Sequence, residues 1–129
     1  MAGRFLLDTN IVIALFNGDS KIIEQIDKAE EIFLPATVLG ELYYGAVNSG
    51  RQEENLKRID TFKPEVSILY TDDTTALIYG RIKKGLKDKG KPIPENDIWI
   101  AAIAIQYGLI LLSRDTHFDE IEGLIREIV

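Results

Sequence analysis

Four carboxylates define the chemistry open to this sequence: Asp8, Glu41, Asp97 and Asp115. Asp8 closes the apolar run Phe5-Leu6-Leu7, and Asp115 follows Leu111-Leu112-Ser113-Arg114. In a parallel sheet the residues that close the strands gather at one edge, and open α/β sheets bind their ligands beyond that edge. Alone, either aspartate reads as the cap of the helix or turn that follows it. Asp97 stands in the first turn of an apolar helix and shares a face with Ala101 and Ala104, an open and apolar surround for a charge. A first-turn acid also suits the helix dipole, so position by itself does not choose between the two uses. Glu41 lies beside the apolar stripe Val38, Leu42 and Ala46, either at the rim of a pocket or as a boundary residue.

Four acids arriving at one rim from separate elements would repel one another strongly unless a cation neutralised them, so convergence implies a metal. The sequence has no cysteine and a single histidine, His117, which leaves oxygen as the main donor. Hard oxygen ligands suit Mg²⁺ or Mn²⁺. Such an ion keeps several waters, is usually completed by substrate phosphate, and turns a bound water into a nucleophile, which points to phosphodiester hydrolysis. Thr9, Asn10, Asn96 and Ser113 stand next to the acids and could orient ligands or water, with local backbone capping the other use for the hydroxyls. His117 falls in a turn after Asp115 and reads as a surface or packing residue with no assigned role.

The elements that must position these groups alternate. Arg4 to Asp8 reads as a short strand, and a helical pattern begins at Thr9. Asn17-Gly18-Asp19 is a turn, with Asp19 or Ser20 capping a second helix. Glu31 to Leu34 is the next strand, Pro35 opens a helix that stops at Asn48-Ser49-Gly50, and another helix spans Gln52 to Phe62. Val66 to Tyr70 is a third strand, followed by a long helix capped by Thr71 or Asp72 and a loop from Lys89 to Pro94. Glu95 to Tyr107 is a helix whose middle, IWIAAIAI, is apolar on every side and therefore interior. Leu109 to Ser113 is a fourth strand, and Ile125 to Val129 an edge strand. Apolar strands separated by helices predict an α/β three-layer sandwich with a parallel sheet of four or five strands.

The 129 residues make one domain, 46% hydrophobic and 28% charged, an ordinary globular balance. No apolar run approaches the roughly 20 residues a bilayer span needs and no signal-peptide pattern opens the chain, so a soluble cytoplasmic protein is expected. The net charge of -6 disfavours a broad basic surface for nucleic acid. The average hides a cluster: Arg81, Lys83, Lys84, Lys87, Lys89 and Lys91 crowd an eleven-residue stretch where only Asp88 opposes them. That stretch reads either as a solvated helix face or as a surface for an anion.

Three segments, LLDTNIVIALF, PATVLGELYYGA and KGKPIPENDIWIAAIAIQYGLILLSRDTHFDEIEGL, occur in an order and spacing that resemble the PIN-domain ribonucleases, most closely the VapC-type toxins of toxin–antitoxin pairs. The resemblance spans nearly the whole chain. It implies that Asp8, Glu41, Asp97 and Asp115 bind Mg²⁺ or Mn²⁺, with Asn10 and Asn96 as polar neighbours, and leaves Asp119 at a position where the family varies. It further implies endonucleolytic cleavage of RNA, a homodimer, and inhibition by a cognate antitoxin that plugs the acidic groove. Under this reading Lys84, Lys87 or Lys91 contacts RNA phosphate, because a negative groove needs nearby cations to hold the backbone.

Competing readings are a phospho-receiver domain, a haloacid-type phosphatase, and a PIN domain that only binds. A receiver wants paired acids after its first strand and a lysine after its last, whereas here Thr9-Asn10 follows Asp8 and no lysine follows Leu112. A phosphatase of that type wants a second aspartate where Asn10 stands. Among the aromatics, Trp99 reads as core or dimer packing, and at most one of Tyr43 and Tyr44 can face the site.

Overall fold

Alternating short apolar strands and amphipathic helices commit this chain to a covered parallel sheet, because its central strands are apolar on both faces and must be buried on both. The computed structural model describes residues 3–129. Strands β1 (Arg4–Leu7), β2 (Glu31–Pro35), β3 (Ser67–Leu69), β4 (Ile110–Leu112) and β5 (Arg126–Glu127) form one sheet in the order β3-β2-β1-β4-β5, every pair parallel. Helices α1 (Thr9–Phe16) and α2 (Ser20–Asp27) connect β1 to β2, and α3 (Ala36–Val47) and α4 (Gln52–Phe62) connect β2 to β3. Helices α5 (Asp73–Lys89) and α6 (Glu95–Tyr107) then carry the chain back past β1 to β4. The chain therefore winds outward in one direction from β1 and resumes on its other side, which makes the gap beyond β1 and β4 the switch point of the sheet.

The caps explain where the helices start. Asp8 accepts from the Asn10 amide, Asp19 from the Lys21 and Ile22 amides, and Asp72 forms a reciprocal capping box with Thr75. Gly90 and Gly108 end α5 and α6 in the left-handed conformation that a side chain resists. The core is built on Leu6, Leu7, Leu34, Leu111 and Leu112 of the sheet with Ile11, Ile22, Ile100 and Ile103 from the helices. Each such side chain contributes roughly 1.5–3 kcal/mol by leaving water. Helix α6 packs against α5, α3 and β4 and is buried from Ile98 to Ala104 apart from Trp99, as its all-round apolar sequence requires.

Boundaries differ from the sequence expectation where turns intervene. Pro35 closes β2 and caps α3 from outside, rather than opening the helix. A single 3₁₀ turn, Lys63–Glu65, trims β3 to three residues, and α5 extends through Lys89 because Gly90 supplies the stop. The edge strand shrinks to Arg126–Glu127, and a second 3₁₀ turn, Thr116–Glu120, lies between β4 and it.

Candidate metal centre

The register of β1 on β4 places the acids. Leu7 pairs with Leu112, so Asp8 and Ser113 leave their strands side by side, and the Asp8 amide donates to the Leu112 carbonyl at 3.4 Å. Asp8 is 6% exposed and Ser113 fully buried. Asp8 Oδ1 accepts from the Asn10 amide at 2.9 Å, and its Oδ2 accepts from Ser113 Oγ at 2.5 Å. Ser113 Oγ in turn accepts from the Asp115 amide at 3.0 Å. One buried hydroxyl thus links the first and last of these four acids, 107 positions apart in sequence.

Asp97 enters from the first turn of α6. His117 Nε2 lies 2.9 Å from Asp97 Oδ2 and 2.5 Å from Asp115 Oδ2, so the imidazole is wedged between the two carboxylates. One donor atom from each of Asp97, Asp115 and His117 falls within 4.8 Å of the others. Burial pushes the Asp97 carboxyl up from 3.8 to about 6; the charge of His117 opposes the rise, and those of Asp8 and Asp115 add to it. Asp8, Thr9, Asn10, Glu41, Asn96, Asp97, Asp115 and His117, together with Pro94 and Glu95, line one open groove of about 480 Å³ at the switch point.

The structure therefore brings Asp8, Glu41, Asp97 and Asp115 to a single groove, with Thr9, Asn10 and Asn96 on its wall and Ser113 behind it. Asp119 does not line it. Asp72 and Asp73 stand at the start of α5 as its cap and first residue. Lys84 is paired with Asp88 at 2.6 Å, and Lys84, Lys87 and Lys91 are all exposed and outside the groove wall. Lys83 stands nearer, bonded at 2.6 Å to Glu95, which also accepts from Tyr79 Oη. Trp99 stacks on Tyr79 with centroids 4.0 Å apart, Tyr43 Oη accepts from Lys63, and Tyr44 is exposed, so none of these three lines the groove.

His117 is the correction. The sequence offers it no task, yet the 3₁₀ turn after Asp115 swings its ring back between the acids. Its only sequence signal is the spacing of two from Asp115, which lets a tight turn return a side chain to the same site.

Whether these residues suit a divalent ion can be judged from their chemistry. Among the described residues, Thr9 Oγ1 and His117 Nε2 are buried polar atoms on the groove wall without a hydrogen-bond partner, the imidazole lying near its carboxylates but off the line of a bond. Several carboxylates and one imidazole in one groove form a mostly hard donor set, and that set fits a divalent cation.

A family model described as "PIN domain" matches residues 5–124. The chain is 38% identical over 114 residues to "Ribonuclease VapC2" of Haemophilus influenzae, covering 87% of this chain and 86% of that protein. It is 32% identical over 124 residues to "tRNA(fMet)-specific endonuclease VapC" of Shigella flexneri, covering 94% of each. Among solved structures, VapBC2 from Rickettsia felis, bound to a DNA fragment from its promoter, superimposes with a TM-score of 0.90 at 29% identity, covering 98% of each chain.

Proposed function

This chain belongs to the PIN domain family, and from that premise we propose that it is a divalent-metal-dependent endoribonuclease, the toxin of a toxin–antitoxin pair. One observation carries the reading: carboxylates from β1, α6 and the turn after β4 share a groove that buries Asp97 enough to push its carboxyl to about 6. A carboxylate buried beside two others is costly to ionise unless a cation neutralises it, and the groove holds the three together at that cost.

Asp8, Asp97 and Asp115 would hold the ion, with Glu41 facing them from α3. The ion supplies a polarised water as nucleophile and balances charge at the scissile phosphate. Ser113 and the Asn10 amide fix both oxygens of Asp8, leaving only the remaining lone pairs for a ligand. His117 places its imidazole between Asp97 and Asp115, with Nε2 at 2.9 Å and 2.5 Å from their Oδ2 atoms. Lys84, Lys87 and Lys91 are assigned to RNA phosphate; Lys87 and Lys91 have no carboxylate within 4.0 Å among the described residues, and so are available without breaking a pair.

The names of the relatives, ribonuclease and endonuclease, support RNA as the substrate. The VapBC neighbours support a small antitoxin as partner, and an acidic groove suits a partner that offers a cationic side chain to it. A cytoplasmic homodimer completes the proposal: no helix among the described residues is long and apolar enough to cross a membrane, and Tyr44, Tyr70 and Leu77 stay exposed. The test is cleavage of a panel of structured RNAs with Mg²⁺, with Mn²⁺, and with chelator. Cleavage should need the metal and vanish in a folded Asp8→Asn variant. Equal cleavage by metal-stripped protein would overturn the mechanism.

A further inference from the structure

We infer that Arg126, on the C-terminal strand, fixes the turn that carries Asp115 and His117 and thereby sets how tightly the acidic groove binds a divalent ion. The inference rests on the reading of that groove as a metal site. An arginine on a two-residue edge strand would ordinarily extend into water, yet the Arg126 side chain is only 8% exposed. Its Nη1 donates to the Ser113 carbonyl at 3.2 Å, its Nε donates to Asp119 Oδ1 at 3.0 Å, and its Nη2 pairs with the same carboxylate. Ser113 and Asp119 are the two ends of the segment that holds Asp115 and His117. One guanidinium therefore closes that segment like a clasp.

The clasp leads directly to the acids. The residue whose carbonyl it holds is the residue whose hydroxyl bonds Asp8 and accepts from the Asp115 amide. A planar fork reaches a main-chain oxygen and a carboxylate at once, which the single point charge of lysine cannot do. Burying the guanidinium is costly unless both partners stay in place, so the contact resists loosening. It also accounts for Asp119: its charge is matched by Arg126 and it stays off the groove wall, so it positions the turn and takes no place in the ligand set. Arg114 anchors the opposite side of the same turn, through the Val129 carbonyl at 3.0 Å and Asp19 at 2.9 Å.

The test is calorimetric titration with Mn²⁺ alone on the full chain, comparing wild type, Arg126→Lys, Arg126→Ala, Asp119→Asn and the Arg126→Ala/Asp119→Asn double variant. Residues that orient metal ligands from behind are worth about 10- to 100-fold in metal affinity. Arg126→Ala should raise the dissociation constant by about that factor at unchanged stoichiometry, with Arg126→Lys in between. Asp119→Asn should do less, and the double variant should be no worse than Arg126→Ala, because both changes break one contact. A purely structural role predicts instead a lower binding stoichiometry or melting temperature at an unchanged constant, and that result overturns the proposal. So do losses that add independently, the mark of an Asp119 that ligates the ion itself. If Arg126→Ala does not fold, Arg126→Lys and Asp119→Asn decide by the same criteria. A wild-type chain that binds no Mn²⁺ would remove the metal reading and this inference with it, whereas a binding wild type with unaltered variants removes the clasp alone.

Discussion

Replacing Asp97 by asparagine should make the metal-free protein more stable while abolishing cleavage, because the groove holds that charge at a cost. The carboxyl titrates at about 6 in the fold against 3.8 for an ordinary aspartate. At about 1.4 kcal/mol per pH unit, holding Asp97 ionised at neutral pH costs roughly 3 kcal/mol. Water reaches its side chain, which is 20% exposed, so a gain of about 1–3 kcal/mol is expected. For a domain of this size that is a rise of roughly 3–10 °C in Tm. The sign follows from proton binding. Between pH 4 and pH 6 the folded chain holds the Asp97 proton more tightly than the unfolded chain, so wild-type stability falls as pH rises through that window. The advantage of the asparagine variant should therefore be small near pH 4, grow to pH 6, and stay level above it. Thermal unfolding in chelator across pH 4–8 measures this directly. With Mn²⁺ at about 1,000 times its dissociation constant the order should reverse, since wild type then gains about 4.1 kcal/mol that the variant lacks. An asparagine variant that melts below wild type in chelator at neutral pH, or a difference indifferent to pH, would refute the reasoning.

Other substitutions test separate parts of the site. Ser113→Ala removes the hydroxyl that links Asp8 to the Asp115 amide; Mn²⁺ affinity should fall about 10- to 100-fold in a titration, with about 1–3 kcal/mol lost in denaturant unfolding from the stranded partners. Alanine at Lys84, Lys87 and Lys91 together should weaken RNA binding and flatten its salt dependence by about 0.7 in log–log slope per phosphate contact removed; unchanged affinity would show that these lysines are merely solvated. In the interior, Ala101→Leu should cost about 1–3 kcal/mol, because α6 is packed on every side there and an extra branch has no space.

The order of strands and helices was legible because each boundary carries its own chemistry: Asp8, Asp19 and Asp72 as caps, Gly90 and Gly108 as stops, and an unbroken apolar face from Ile98 to Ala104 that only an interior helix tolerates. Asp8 and Asp115 could be grouped because parallel strands bring their ends to one edge, a rule of topology rather than of local sequence. What escaped the sequence depended on how short turns fold. His117 reaches the acids only because Thr116–Glu120 winds as a 3₁₀ turn, started by Asp115 accepting from the His117 amide at 3.2 Å. Arg126 looks solvent-facing in sequence, and its burial follows from β5 lying beside β4, a neighbour relation set by the whole sheet. The lysine stretch was visible as a charge pattern, but its internal pairing was not: Lys84 with Asp88 follows helix spacing, whereas Lys83 with Glu95 joins two helices across a loop.

The most direct test of the central claim, that separated carboxylates share one divalent ion, is an anomalous difference map at the manganese edge from crystals soaked in Mn²⁺. The account predicts a peak in the groove within bonding distance of Asp8, Asp97 and Asp115. A groove without a peak, with His117 still seated between Asp97 and Asp115, would contradict it.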